Sequence, residues 1–430
     1  MSTHPLELSA IILDAGESDQ RTNRITNELS DINHGISIIE SFSHVLTFKT
    51  DDGLVCFDTS GAGTGTACVE ALRGWSDDPV HSIVYTHGHV DHTGGSGAFG
   101  ADAEANGNAA PQVVGHERLS DRLRRYDDTN GFNMGINARQ FGGISAGSGL
   151  GIGGEARFLP ADALWPTVEY HDDLELAVGG LSFELHHDRG ETDDHTWAWV
   201  PEHRALVVGD FVTWVFPNCG NPQKVQRYPL EWARALRKMQ AMDADLLLGA
   251  HGLPVQGTER VNRVLDDLAT ALETLVHETV EMMNNNEPLD TIIHSVSLPD
   301  DVLSRPWMNP VYDEPEFVVR NIWRLYGGWW DQNPANLKPA PLSQFGAEIA
   351  ALAGGTAPLL SRATELSQQG DHRMACNLVE LAVQAEPDSV EAHGTRKEIY
   401  QARRDAESSL MSKGIFAAAA NESRAIADPE

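Results

Sequence analysis

A chain of 430 residues is long enough for two or three domains and a substantial buried core. It holds 31 Lys and Arg against 63 Asp and Glu, and the net charge of −32 argues against nucleic-acid binding, which needs a basic surface. No stretch approaches the roughly 18 apolar residues of a membrane span, and the N-terminus lacks the basic and apolar regions of a signal peptide. The four cysteines lack the spacing of a disulfide framework or a zinc ribbon. We therefore expect a cytoplasmic protein that binds neither nucleic acid nor a membrane.

The first part of the chain contains two runs of predicted strands with helices between them. Residues 1–30 are polar and weakly patterned, and we predict no regular element there. Apolar or alternating segments bounded by turn residues predict strands over 36–39, 43–48, 54–57, 83–85, 113–114, 174–178, 181–185, 196–200, 205–208 and 245–249. Helical spacing predicts helices over 66–75, 117–126 and 231–242. This order predicts an α/β protein with a four-layer αββα sandwich.

The remainder of the chain is predicted to be helical. Apolar residues recur close to the 3.6-residue period over 261–284, and the proline-rich segment 334–341 predicts a linker. Residues 354–418 predict three helices, with breaks at 369–371 and 386–388. Their spacing resembles a single tetratricopeptide-type helix pair, which cannot bury its own apolar face. We expect this module to pack on the rest of the chain or on a second subunit.

A cluster of potential metal ligands follows the apolar strand over 83–85: His87, His89, Asp91 and His92. Imidazole nitrogens and carboxylate oxygens are the ligands that zinc-like divalent ions take. Because side chains alternate along an extended segment, His87 and His89 point the same way. Asp91 and His92 are then expected past the turn, facing a different point, which predicts two metal ions. The alternative, a histidine-rich surface loop, explains this spacing poorly.

Three further polar residues stand next to predicted strands, where loop-borne catalytic groups commonly lie. Asp210 and His251 each follow an apolar strand, and His195 directly precedes one. Taken singly, each is more often a structural residue. Together with the histidine cluster, they predict a complete set of metal ligands.

These motifs resemble the metallo-β-lactamase superfamily over residues 35 to about 258, through Thr86-His-Gly-His-Val-Asp-His92, Gly190-x-x-x-x-His195, Gly209-Asp210 and Ala250-His251-Gly252. The resemblance implies two Zn²⁺ ions per chain, with other divalent metals possible. It implies that the first ion is held by His87, His89 and His195, and the second by Asp91, His92 and His251. Asp210 is implied to bridge the ions, and Asp91 or a nearby side chain to orient a shared hydroxide. Asp91 and Asp210 are the expected catalytic residues.

The segment 321–335 and the helices after it are similar to the dimerisation region of the alkylsulfatases, as is Arg139-Gln-Phe-Gly142. This resemblance implies a homodimer that cleaves a sulfate ester, with an alkyl tail on the substrate. It divides the chain into a catalytic domain over 1–258, a helical extension with an aromatic linker over 259–342, and a dimerisation module over 343–430. The sterol-carrier-like C-terminal domain common in that family is not expected here.

The sequence departs from the alkylsulfatases at the site. That family uses glutamates where this sequence is aligned with His195 and Asp210, and its sulfate-binding His-Asn pair and Arg-Gly segment do not stand at their expected places within 213–227. Two alternatives therefore stay open: a hydrolase of the same fold that acts on a thioester, lactone or phosphoester, and a scaffold that the metals only stabilise. The candidates for substrate contacts are Arg139, Lys224, Arg227 and Tyr312, each of which could equally be a surface or fold residue.

Overall fold

The computed structural model describes residues 3–33, 35–143 and 157–428, which form two compact units. The first unit consists of residues 3–33, 35–130 and 157–329, and the second consists of residues 131–143 and 330–428. The C-terminal part of the second unit begins at Trp330. The division of the chain after residues 258 and 342 stays a prediction. Among the described residues, no helix is long and apolar enough to cross a membrane.

Two sheets form the centre of the first unit. The first sheet has the order β1-β2-β3-β4-β5-β6-β7, and the second has the order β13-β12-β11-β10-β9-β8. The strands of the first sheet are β1 (Glu28–Asn33), β2 (Ile36–Glu40), β3 (Val45–Thr50), β4 (Gly53–Phe57), β5 (Val80–Val84), β6 (Gln112–His116) and β7 (Val168–Tyr170). Those of the second are β8 (Asp173–Val178), β9 (Leu181–His187), β10 (Thr196–Val200), β11 (Ala205–Gly209), β12 (Leu246–Gly249) and β13 (Val255–Gln256).

The helices of the first unit surround these sheets, with one short 3₁₀ turn at Pro201–His203. They are α1 (Pro5–Ala15), α2 (Gly65–Trp75), α3 (Val90–Thr93), α4 (Ser96–Ala105), α5 (Glu117–Asp128), α7 (Pro229–Gln240), α8 (Thr258–Asn284), α9 (Leu289–Ser295), α10 (Asp300–Leu303) and α11 (Pro315–Gly327). Helix α6 (Asn130–Gln140) begins in the first unit and continues into the second.

The sheets pack face to face through apolar side chains. The rings of Phe48 and Phe57, from the first sheet, lie 5.4 Å and 5.9 Å from the ring of Phe183, in the second sheet. The other face of the second sheet, with Leu206 and Leu247, packs against α1, α7 and α8 in one core. Helix α2 packs beside β1 and β2. The layers are helix, sheet, sheet and helix, and the predicted αββα sandwich is confirmed.

The second unit is helical, as predicted, but it contains more helices than the sequence pattern indicated. Besides the greater part of α6, they are α12 (Pro334–Leu337), α13 (Leu342–Ala353), α14 (Thr356–Gln368), α15 (His372–Ala385), α16 (Val390–Ala406) and α17 (Leu410–Ala427). The prediction of three helices over 354–418 was wrong because a further break separates α16 from α17. There the Ser409 side chain accepts a hydrogen bond from the Ser412 N–H and caps the new helix.

The N-terminal segment was also predicted wrongly, since residues 5–15 form helix α1. Pro5 stands in the first turn, where its missing N–H is not needed. Leu8, Ile12 and Leu13 are buried in the core beside the second sheet. Tertiary burial therefore stabilises a helix whose own pattern is too short to be distinctive.

Parallel strand pairs bring several polar residues to one region of the sandwich. Strands β4 and β5 run parallel in one sheet, as do β11 and β12 in the other. The residues that follow these four strands within three positions are Asp58, His87, Asp210 and His251. The loops after these strands are thus where the candidate ligands meet.

Candidate metal centre

The histidine motif turns a corner between its second and third ligand candidates. His89 is the extended residue before helix α3, which contains Asp91 and His92. The predicted change of direction after His89 is therefore present. Gly209 is needed beside this motif because its φ is 51° and an added Cβ would lie 2.7 Å from the Cβ of Thr86.

Potential metal ligands converge in two adjacent groups. One contains His87, His89, Glu191 and Asp210, and the other contains Asp91, His92 and His251; within each group the ligand atoms lie within 4.8 Å of one another. The Oδ2 atom of Asp210 lies 3.9 Å from Nε2 of His87. Its Oδ1 atom lies 3.6 Å from Nε2 of both His92 and His251. Asp210 thus offers one oxygen to each group.

Asp91 faces the same two histidines as the Oδ1 atom of Asp210. Its Oδ2 atom lies 3.5 Å from Nε2 of His92 and 3.5 Å from Nε2 of His251. In the other group, Oε1 of Glu191 lies 3.7 Å from Nδ1 of His89. These separations are close to the spacing of about 3.4 Å between two ligands at about 2.1 Å from a tetrahedral ion.

Unsatisfied polar atoms support the same assignment. Among the described residues, Nε2 of His92, Oδ1 of Asp210 and Oε2 of Glu191 are buried without a hydrogen-bond partner. A buried polar atom without a partner is costly. Nitrogen and oxygen donors at this spacing fit a zinc-type divalent ion, which would satisfy them.

The structure does not bring His195 into either ligand group. Its Nε2 atom accepts a hydrogen bond from the backbone N–H of Asp210 at 3.2 Å, and its ring stacks on His87 at 4.7 Å between centroids. Glu191, four residues earlier, takes part instead. Sequence reasoning missed Glu191, although the alkylsulfatase preference for a glutamate in this loop pointed to it.

Asp58 supports the ligands from behind and was not among the predicted site residues. Its Oδ2 atom lies 2.8 Å from Nδ1 of His92, and its carboxylate accepts hydrogen bonds of 2.8 Å from both the backbone N–H and the hydroxyl of Thr86. A carboxylate on the outer nitrogen fixes the orientation of a ligating imidazole. The position of Asp58 directly after an apolar strand was the available signal.

Burial sets the protonation of the ligand candidates. Burial and neighbouring positive groups lower the pKa of His87 and His89 well below the usual value, so that these imidazoles are neutral, as metal binding requires. Burial raises the pKa of Glu191 to about 8, although Arg227 acts in the opposite direction. For Asp210, burial is outweighed by His251 and His92, and its pKa is lowered.

The predicted substrate contacts have different surroundings. The carboxylates of Asp91 and Glu191 raise the pKa of both Lys224 and Tyr312 through their negative charge. Burial, followed by Arg227, lowers the pKa of Lys224 to about 8. Its Nζ atom lies 5.7 Å from the centre of the Phe158 ring.

Arg227 is buried behind Glu191. It donates hydrogen bonds to Oε1 of Glu191 and to the backbone oxygen of Asn218, and the Asn218 side chain donates to the same Glu191 oxygen. Arg227 therefore orients Glu191. Arg139 lies on α6 in the second unit, and its role in substrate binding stays a prediction.

Two family models match separate parts of the chain. Residues 40–251 match the metallo-beta-lactamase superfamily, and residues 289–425 match the alkyl sulfatase dimerisation family. The chain combines a metallo-beta-lactamase domain with an alkylsulfatase dimerisation domain, and it is homologous to linear and secondary alkylsulfatases.

The relatives share a limited part of their sequence with this chain. A linear primary-alkylsulfatase from a Pseudomonas species is 28% identical over 354 residues, which are 79% of this chain and 66% of the relative. An alkyl/aryl-sulfatase from Saccharomyces cerevisiae is 25% identical over 73% of this chain and 50% of its own length. The solved structure of a stereoselective inverting sec-alkylsulfatase from a Pseudomonas species superimposes with a TM-score of 0.80 at 22% identity, covering 93% of this chain and 66% of that one. This likeness confirms the fold, and the chain spans about half to two thirds of the length of these relatives.

Proposed function

We propose that the chain is a dinuclear zinc hydrolase that cleaves a sulfate ester of the alkyl type. The observation that carries the proposal is the position of Asp210, which offers one carboxylate oxygen to each of two ligand groups. When bound, the two ions would supply a water nucleophile at neutral pH and Lewis-acid stabilisation of the developing charge. The names of the homologous alkylsulfatases support the choice of substrate class.

The proposed ligand set differs from the predicted one at a single residue. We assign His87, His89 and Glu191 to the first ion and Asp91, His92 and His251 to the second. Asp210 lies between them. Glu191 replaces His195 because a ligand atom of Glu191, and none of His195, lies within 4.8 Å of the ligand atoms of His87, His89 and Asp210.

The chain's own residues would bind and orient the ester. A sulfate monoester is an anion, and the chain carries a net charge of −32, so a local cation is needed to hold the substrate. Lys224 is the side chain that fits this role, with the Tyr312 hydroxyl as a second hydrogen-bond donor. Arg227 acts indirectly, since its guanidinium holds Glu191.

We also propose that the second unit forms a homodimer. Helix α13 carries Leu342, Phe345 and Leu352 on one face, with exposed fractions of 63%, 50% and 84%. Apolar side chains at this helical spacing form a stripe that a second copy of the chain would cover. The match to the alkyl sulfatase dimerisation family supports this assembly.

A substrate panel tests the proposed function. Purified protein would be incubated with linear and secondary alkyl sulfates, a phosphate monoester, a thioester and a lactone, with the His89→Ala variant as the control. We expect release of inorganic sulfate from at least one alkyl sulfate and its loss in the variant. Turnover of another ester class alone, with no sulfate released by protein that holds its metal, would contradict the assignment.

A further inference from the structure

A buried aspartate connects the two loops that carry the ligands proposed for the first ion. Asp194 is fully buried and lies three residues after Glu191, in the loop between β9 and β10. Its Oδ2 atom accepts a hydrogen bond of 2.8 Å from the backbone N–H of Gly88. Gly88 stands between His87 and His89 in the sequence. One carboxylate therefore ties the histidine motif to the Glu191 loop.

Arg122 of helix α5 holds this aspartate from the other side. Its Nε atom donates to Oδ1 of Asp194 at 2.7 Å, and its Nη2 atom donates to Asp193. The Arg122 side chain is 2% exposed, whereas those of Arg118 and Arg124 on the same helix are 56% and 64% exposed. Arg122 is thus the one of these three arginines that turns into the protein.

The three segments fit together closely at this point. A Cβ atom added to Gly88 would lie 2.8 Å from Cδ of Arg122 and 3.0 Å from Oδ2 of Asp194. The glycine therefore allows the ion pair to lie directly against the backbone of the histidine motif. By contrast, the outer nitrogen of His92, a ligand proposed for the second ion, is held by Asp58.

We propose that Arg122 and Asp194 form a positioning pair for the first metal position, fixing His87 and His89 relative to Glu191. The pair touches neither the substrate nor the ions. Residues that orient metal ligands raise metal affinity by about 10- to 100-fold. Loosening the pair weakens the first position and leaves the second, whose ligands have other supports. This inference rests on the proposed dinuclear centre.

A different result is expected if the ion pair of Arg122 and Asp194 only stabilises the fold. Buried ion pairs often add little net stability, and breaking one destabilises the whole fold. Such a role would lower the Tm of the metal-free protein without changing the relative affinities of the two positions. The ratio of the two affinities, measured without reference to activity, separates the possibilities.

The test compares wild-type protein with Asp194→Asn and with the matched control Arg124→Ala, an exposed arginine of the same helix that pairs with Asp121. Zinc content would be measured after equilibration with a graded chelator series, and Co²⁺ absorption spectra would report the two positions. We expect two ions in the wild type and the control. In Asp194→Asn we expect one ion at a chelator concentration that leaves both in the wild type, a loss of about 10- to 100-fold at one position.

Unchanged affinities in Asp194→Asn, or an equal loss at both positions, would overturn the positioning role. If that variant does not fold, Asp193→Asn tests the positioning role instead. Asp193 is partly exposed, and its replacement weakens only the contact to Nη2 of Arg122. We expect a several-fold loss confined to one position, and no change there would overturn the proposal. A wild-type chain that binds fewer than two ions would instead show that the dinuclear centre itself is wrong.

Discussion

The Oδ1 atom of Asp210 faces the Nε2 atom of His92 across 3.6 Å, and among the described residues neither atom has a hydrogen-bond partner. Both atoms are buried, so their polar groups have lost water without gaining a protein partner. The gap is too wide for a hydrogen bond but suits two ligands of one ion. This relationship defines the centre of the proposed site.

Replacement of Asp210 tests that arrangement. Because its two oxygens face different ligand groups, Asp210→Asn should weaken both metal positions and lower kcat/KM by more than about 100-fold. Zinc content and sulfate release would be measured together. Asp243→Asn, which changes an exposed partner of Arg204, serves as the control. Full zinc content with wild-type turnover in Asp210→Asn would contradict the bridging role.

The support of His92 by Asp58 gives a second prediction. Asp58→Asn removes the negative charge behind His92 while keeping an oxygen for the Thr86 N–H. We expect the affinity of the second metal position to fall by about 10- to 100-fold, because the imidazole loses its fixed orientation. Chelator competition measures the change. An unchanged affinity at that position would show that Asp58 serves the fold alone.

Lys224 should affect substrate binding more than turnover. Lys224→Ala removes the cation proposed to hold the sulfate group, and KM should rise by about 10- to 100-fold, the equivalent of roughly 1.5–3 kcal/mol for a hydrogen bond to a charged group. Steady-state kinetics with an alkyl sulfate give kcat and KM separately. Lys238→Ala, which removes a surface partner of Asp188, should leave both constants near wild type. A fall in kcat alone would place Lys224 elsewhere in the reaction.

The pKa of Lys224 adds a pH dependence to this prediction. Burial lowers the pKa of Lys224 to about 8, so its positive charge is present below that pH and is lost above it. Affinity for the anionic ester should therefore fall as the pH rises through about 8. The arginine in Lys224→Arg keeps its charge at alkaline pH. The affinity of this variant for the ester should therefore not fall as the pH rises through about 8. A pH profile of KM that is the same in both proteins would rule out this titration.

The stripe on α13 predicts the assembly state. Leu352→Asp places a charge on a side chain that is 84% exposed in one chain but covered in the proposed dimer. We expect the dissociation constant of the dimer to be at least tenfold higher in the variant than in the wild type, because a buried unpaired charge is costly. Light scattering after size-exclusion chromatography gives the mass at several concentrations. Identical dimer masses for variant and wild type at all concentrations would exclude this face from the interface.

Local sequence patterns were sufficient for much of the fold and for six of the seven proposed ligands. The strand patterns predicted the sandwich, and the spacing of His87, His89, Asp91 and His92 predicted the change of direction after His89. Glu191 and His195 could not be separated in this way, because both stand in one loop. Their roles depend on which side chain faces Asp210 and which accepts its backbone N–H.

Other features depend on tertiary contacts that no local pattern records. Helix α1 is stabilised by burial of Leu8 and Ile12 beside the second sheet. Among the arginines of α5, helical spacing alone did not indicate that Arg122 turns inward, because its partners Asp193 and Asp194 lie about seventy residues later in the chain. The extra break before α17 depends on the Ser409 cap.

In the proposed function, hydrolysis requires two ions held by Asp210 and its neighbours. The most direct measurement is a titration of the metal-free protein with Zn²⁺, following the release of sulfate from an alkyl sulfate together with the bound zinc. We expect activity to rise to a plateau at about two zinc ions per chain, a number that follows from the two ligand groups. Sulfate release by metal-free protein, or none from protein with both positions filled on any alkyl sulfate, would contradict it.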